Sequence, residues 1–218
     1  MKTIKTSLLL FLVITTLFSC RKDQIHGSGT TASQDRELAG FENVLIKGAI
    51  RTNIIYGTDF RVTVTTDPVV MSHVETRVED NTLILDLDDH YNYQHISFTV
   101  DVVMPLIHNL THEGISTSSL SGFYDLNELH VRHNGVGKLD LSGSAAHLDL
   151  EHDGVGSVNA FNFPVQTCHA GQSGVGSVKV TVSDLLEGHL NGVGNIYYRG
   201  QPEVNISDSG VGNVIHQN

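Results

Sequence analysis

One tripeptide, Gly-Val-Gly, returns five times in the second half of this chain, opening at Gly135, Gly154, Gly174, Gly192 and Gly210. The spacings are 19, 20, 18 and 18 residues, and a degenerate copy, "HEGIS", places Gly114 21 residues before Gly135. A unit this short cannot bury an apolar face alone, so the copies must stack. Its period suits one coil of a β-solenoid, in which each coil pairs with those above and below.

Numbering each repeat from its first glycine turns the sequence into columns. Six places before it stand Leu129, Leu148, Cys168, Leu186 and Val204; four places after it stand Leu139, Val158, Val178, Ile196 and Val214; and six after it stand Leu141, Ala160, Val180 and Tyr198. Stacked coils superimpose equivalent residues, so these apolar columns are expected inside and the charged residues between them, such as Lys138, Asp140, Asp149 and Glu151, outside. Cys168 is then a small core residue rather than a nucleophile, because alternation sends its neighbour His169 to the opposite face. The aspartate that a calcium β-roll needs two places after its last glycine is replaced in every copy by Leu, Val or Ile.

His112, His133 and His152 share the column two places before the glycine, continued by Gln172, Leu190 and Asp208. With histidine on three rungs and no carboxylate column beside it, this column is expected to hold polar groups satisfied by backbone near the turn. No metal or cofactor is expected there. His169 and His189 fall off the column and read as surface residues.

The valine between the glycines is open to two readings. Strict alternation would turn Ile115, Val136, Val155, Val175, Val193 and Val211 outward as an apolar docking ridge. A turn that resets the alternation would make them plugs in the corner of the core, and the plug is the reading we prefer from sequence.

The first twenty residues, "MKTIKTSLLLFLVITTLFSC", have two lysines and an apolar run too short to span a bilayer. They read as a signal peptide over 1–19 whose Leu17-Phe18-Ser19-Cys20 ending resembles a lipobox, with Cys20 the lipid attachment point. Residues 20–37 are polar and aperiodic and read as a flexible tether. The chain carries 13 Lys and Arg against 24 Asp and Glu, a formal charge of −11, and removing Lys2 and Lys5 with the signal takes it to −13. That balance disfavours nucleic acid as a partner. An acylated Cys20 leaves Cys168 as the only thiol, so no intrachain disulfide is expected. From residue 38 the strand pattern is continuous, with a less regular part over 38–110 and the repeats over 111–218; the one helix expected is "DPVVMSHVETRV", capped by Asp67.

Read together, "GFENVLIKG" from Gly40, "VTVTTDP" from Val62, "ETRVEDNTLILDL" from Glu75, "VVMPLIHNL" from Val102 and the five turns resemble the putative auto-transporter adhesin head, or GIN, domain of bacterial exported lipoproteins. The resemblance spans about residues 38–218. It implies an all-β fold built as a right-handed parallel β-helix and a role in adhesion or surface interaction, and it brings no catalytic residues. The chain departs from the family pattern in carrying Val where relatives carry Ser between the glycines.

The expected function is therefore a non-enzymatic binding or adhesion-like module of the cell envelope, anchored by lipid, on the outer membrane with its face undecided, and taking a protein or glycan ligand. Tyr91 and Tyr93, in "HYNYQH", are a candidate ligand loop. The alternatives are a structural or envelope-sensing lipoprotein, in which an uncovered last coil pairs with another copy, and, less favoured, a polysaccharide-active β-helix enzyme. Outward acids such as Asp140, Asp149 and Glu151 lack the basic column that such an enzyme would need.

Overall fold

The computed structural model describes residues 22–218; the signal peptide and Cys20 lie outside the described residues. The first half of the fold contains β1 (Asp23–His26), β2 (Ala32–Arg36), β3 (Asn43–Ile46), β4 (Arg51–Tyr56), β5 (Arg61–Thr66), β6 (Val74–Glu79), β7 (Thr82–Leu87), β8 (Tyr91–Gln94), β9 (Thr99–Met104) and β10 (Asn109–His112). Four long bent strands follow, β11 (Ile115–His133), β12 (Val136–His152), β13 (Val155–Gln172) and β14 (Val175–Leu190), then β15 (Val193–Arg199), β16 (Glu203–Asp208) and β17 (Val214–His216).

The long strands pair in parallel, each with the next, and the repeat residues meet in register: Val136 with Val155, Val155 with Val175, Val175 with Val193. This is the parallel solenoid that the period required. Each corner is closed the same way. The first-glycine N–H of Gly135, Gly154, Gly174, Gly192 and Gly210 donates to the carbonyl two places before the glycine of the preceding coil, at 2.9 Å in every case. Differences in coil length are absorbed away from this corner, by register shifts between Ser121 and Phe123, Asp140 and Ser142, and Ala160 and Pro164.

The corner extends further back than the repeat predicts. The Gly114 N–H donates to Ile46 O at 3.1 Å, and Asn53 of β4 pairs with Ser119 of β11, which sets Gly48 on the glycine column. Hence β3 and β4 are one more rung of the stack, hidden because Ala49 and Ile50 follow Gly48 where Val and Gly follow the five glycines from Gly135 onward. Below that rung β7 pairs with β3 and β9 with β4, both in parallel, and β6, β5 and β2 then add antiparallel strands that close this end.

Two expectations are corrected here. The segment read as a flexible tether contains two strands: β1 pairs with β8, and β2 pairs with β5. Its side chains are polar because β2 lies at a sheet edge and faces solvent, so backbone pairing holds it without any apolar alternation. Contacts such as Ser33 Oγ to Thr65 Oγ1 at 2.8 Å add to that pairing. The expected helix is only a 3-10 turn, Pro68–His73, with the Asp67 carboxylate accepting from the Val69 N–H at 3.1 Å. Its second half becomes β6, where Val74 and Val78 face Leu87 and Leu83 across the antiparallel pair.

The interior is a set of apolar ladders. Leu129, Leu148, Cys168 and Leu186 are buried, as are Leu139, Val158, Val178 and Ile196. A buried side chain of this size contributes about 1.5–3 kcal/mol, which is why the inward columns stay apolar while the outward ones vary.

Candidate functional site

At the corner the alternation is not reset. Val131, His133, Gly135 and Leu139 are buried while Arg132, Asn134, Val136 and Lys138 are exposed. The plug reading is therefore wrong, for a steric reason. In the Gly-Val-Gly coils the backbone of the preceding rung fills the space a side chain at the inward places would need: a Cβ on Gly154 would run into Gly135 O. The second glycine, Gly156, sits at φ +133°, a conformation an L side chain rarely adopts. Glycine occupies both inward positions, and the residue between them points out.

The result is an exposed apolar column. Ile115, Val136, Val155, Val175, Val193 and Val211 are 67, 45, 49, 51, 50 and 70 % exposed. Neighbouring rungs of a parallel stack lie about 4.8 Å apart, so the side chains form one continuous stripe. It is edged by polar residues such as Asn134, Asp153, Ser173 and Asn191, two places earlier on each rung.

The segment carrying Tyr91 and Tyr93 is a strand rather than a loop. Tyr91 and Tyr93 belong to β8, paired with β1, and neither ring is free. Tyr93 donates to Asp88 O at 2.7 Å and packs edge-on to Phe98, with ring centroids 5.2 Å apart. Burial pushes its hydroxyl up to about 12. Tyr91 lies against His73 at 4.6 Å. Both rings pack on neighbours, and the missing signal was the pairing of β1, which nothing in the tether's composition announces.

Cys168 is buried, and burial pushes its thiol far up, as a core residue requires. His112, His133 and His152 are fully buried in an internal stack. His112 and His133 lie face to face at 4.9 Å with planes 7° apart, and His133 Nδ1 meets His152 Nδ1 at 3.0 Å. The expected backbone satisfaction is found for the Gln172 amide N–H, which donates to Gly176 O at 3.1 Å, while Gln172 Oε1 has no protein partner. Of the histidines, His133 and His152 use one another and His112 Nε2 lies 3.4 Å from Ser116 Oγ, while His112 Nδ1, His133 Nε2 and His152 Nε2 have no protein partner. Burial lowers all three, His133 to about 4 with its two neighbours adding to the effect.

On the outer sheet face, away from the ridge, acids and histidines alternate between rungs. Asp149 Oδ2 lies 3.2 Å from His130 Nδ1, and Asp149 Oδ1 lies 3.1 Å from His169 Nδ1. Shallow depressions flank Asp149 on both sides, one lined by His130, Arg132 and Glu151, the other by His147, His169 and Glu187. Asp140 takes no part, since it accepts from the Asn159 amide elsewhere on the surface.

A parallel β-solenoid closed at one end by antiparallel strands, with a repeated glycine corner and an exposed apolar stripe, defines the class. The family is shown by a match over residues 40–202: the chain belongs to the putative auto-transporter adhesin, head GIN domain family. That name points to the cell envelope or surface and to an adhesin-like role. Among solved structures the chain is similar to a putative adhesin from Bacteroides fragilis, with a TM-score of 0.75, 20 % identity, and 88 % of this chain and 100 % of that one covered. It is also similar to a putative adhesin from Parabacteroides distasonis (TM-score 0.52, 21 % identity, 89 and 100 % covered). A putative lipid binding protein from the same species matches with a TM-score of 0.54 and 15 % identity, covering 90 and 100 %. At these identities the likeness is one of fold. No curated protein matches the chain, and among the described residues no helix is long and apolar enough to cross a membrane.

Proposed function

We propose that this protein is a non-enzymatic module, anchored through lipid on Cys20 to the bacterial outer membrane, that binds a protein partner along the valine ridge. The observation that carries the reading is the exposed column from Ile115 to Val211, six apolar side chains on consecutive rungs of a rigid stack. Such a contiguous stripe is unusual on a soluble surface and marks interaction sites. The ridge is a single residue wide with polar margins, which suits an extended protein segment lying along the solenoid axis.

The anchor and the ridge are tested separately. Cells producing the full chain are labelled with radioactive palmitate, and Cys20→Ala is expected to lose the label and the membrane fraction. Protease shaving of intact cells then reports whether the domain faces outward, as adhesion requires. For the ridge, beads carrying the protein are compared with beads carrying a Val136→Asp, Val155→Asp, Val175→Asp variant for retention on immobilised surface proteins, glycans and lipid vesicles. Retention on protein lost in the variant supports the reading. Equal retention of both bead types, or retention on glycans or vesicles alone, overturns it.

A further inference from the structure

The outer sheet face gathers the ligating side chains of three coils at one place. Asp149 and His169 are neighbours in one column, on adjacent rungs. Glu151 and His189 belong to the next outward column but lie two rungs apart, about 9.6 Å at the parallel spacing. Gly171 is the residue between them, paired with Glu151 on one side and His189 on the other. The Glu151 carboxylate lies across this glycine, in the space that a Cβ on Gly171 would occupy. It thereby reaches both histidines: His169 Nδ1 is 3.5 Å from Glu151 Oε1, and His189 Nε2 is 3.9 Å from Glu151 Oε2. One ligand atom from each of Glu151, His169 and His189 falls within 4.8 Å of the others.

That spacing is slightly wider than the one a small tetrahedral ion imposes. Donors held 2.0–2.2 Å from Zn²⁺ stand about 3.3–3.6 Å from each other, so little side-chain movement separates this cluster from a coordination shell. Two imidazoles with carboxylate select zinc over magnesium or calcium, which take oxygen ligands. The charge around the cluster agrees: Asp149 accepts beside His169, Glu187 is the rung neighbour of His169, and Arg132, one rung from Glu151, makes no ion pair with it. The other acid–histidine group, Asp88, Asp89 and His90, comes from three successive residues with two of them exposed, and Asp88 already holds both the His90 N–H and its ring.

We propose that Glu151, His169 and His189 form a Zn²⁺ site on the outer face of the solenoid, with Asp149 beside them to complete the shell. The proposal is independent of the ridge. The full chain, stripped with chelator, is titrated with ZnCl₂ by calorimetry. One ion per chain is expected, with at least tenfold weaker binding in His169→Ala, in His189→Ala and in the isosteric Glu151→Gln, and unchanged binding in His90→Ala. Gly171→Ala keeps all the ligands but displaces the Glu151 carboxylate, and is expected to weaken binding while circular dichroism and the metal-free melting curve stay close to those of the parent. No saturable binding, isotherms for the His169→Ala, His189→Ala double variant that superimpose on the parent, or a loss confined to His90→Ala would each overturn it.

Discussion

Gly154-Val155-Gly156 and Gly210-Val211-Gly212 are the same three residues at the same corner of two coils, yet their surroundings differ. In the middle of the stack Leu148 is 2 % exposed and Val155 49 %; in the last coil the equivalent Val204 and Val211 are 37 and 70 % exposed. Gly156 is held at φ +133°, while Gly212 is not among the positive-φ glycines. The motif specifies the shape of a corner, and the coils on either side supply its stability. Substitutions at matched positions of the two coils should therefore separate these contributions.

The largest contrast is expected at the glycines. Gly156→Ala combines an unfavourable φ with a Cβ driven into Gly137 O, and should destabilise by about 4 kcal/mol or more. Gly212→Ala meets Gly194 O in the same way but lacks the φ penalty, and no described coil pins it from the far side. Chemical denaturation should show a clearly smaller loss there, and equal losses would break the comparison. Next come the core ladders. Leu148→Ala should cost about 3 kcal/mol, whereas Val204→Ala at the equivalent column should cost under about 1 kcal/mol.

A smaller, pH-dependent difference is expected between His133 and Asp208, which share a column but not an environment. Folding holds His133 near 4, below the value of about 6.5 expected when unfolded. Its ring faces His112 and His152, with Ser116 Oγ 3.4 Å from His112 Nε2. Below pH 6.5 the unfolded chain takes a proton that the folded chain refuses, so stability is full above that pH and falls as pH drops toward 4. The loss at pH 5 is about 2 kcal/mol, read from denaturation midpoints at pH 7.5, 6 and 5. His133→Leu should flatten the slope over this range, because Ile46 and Leu190 already fill the same column; an unchanged slope would remove the histidine stack as its cause. Smallest of all, Val155→Ser on the ridge should move stability by about 0.5 kcal/mol or less.

The repeat made the solenoid and its inward columns legible, because every coil solves one packing problem with the same residue types. Three kinds of information were not legible. The pairing of β1 and β2 depends on a backbone edge elsewhere in the fold, and their polar side chains carry no alternation to reveal it. The outward direction of the valines turned on whether two glycines count as inward residues, which is a matter of rung separation rather than composition. His169 and His189 looked isolated along the chain, since the link between His189 and Glu151 runs across two rungs and over a missing side chain. Column alignment reveals the link only once Gly171 is taken as a space between Glu151 and His189.

The corner bonds repeat at 2.9 Å from coil to coil in constant register. Excising residues 135–153 would join Asn134 directly to Gly154 and restore the same hydrogen bonds, the same ladders and the same outward stripe, shortened by one side chain. Duplicating them would lengthen the stack by about 4.8 Å. The reach of this protein is thus a matter of copy number: its length can change in whole steps by internal duplication or loss while the two ends stay as they are, and only contacts shared between coils, such as those of Asp149 and Glu151 with His169 and His189, go with the coil removed.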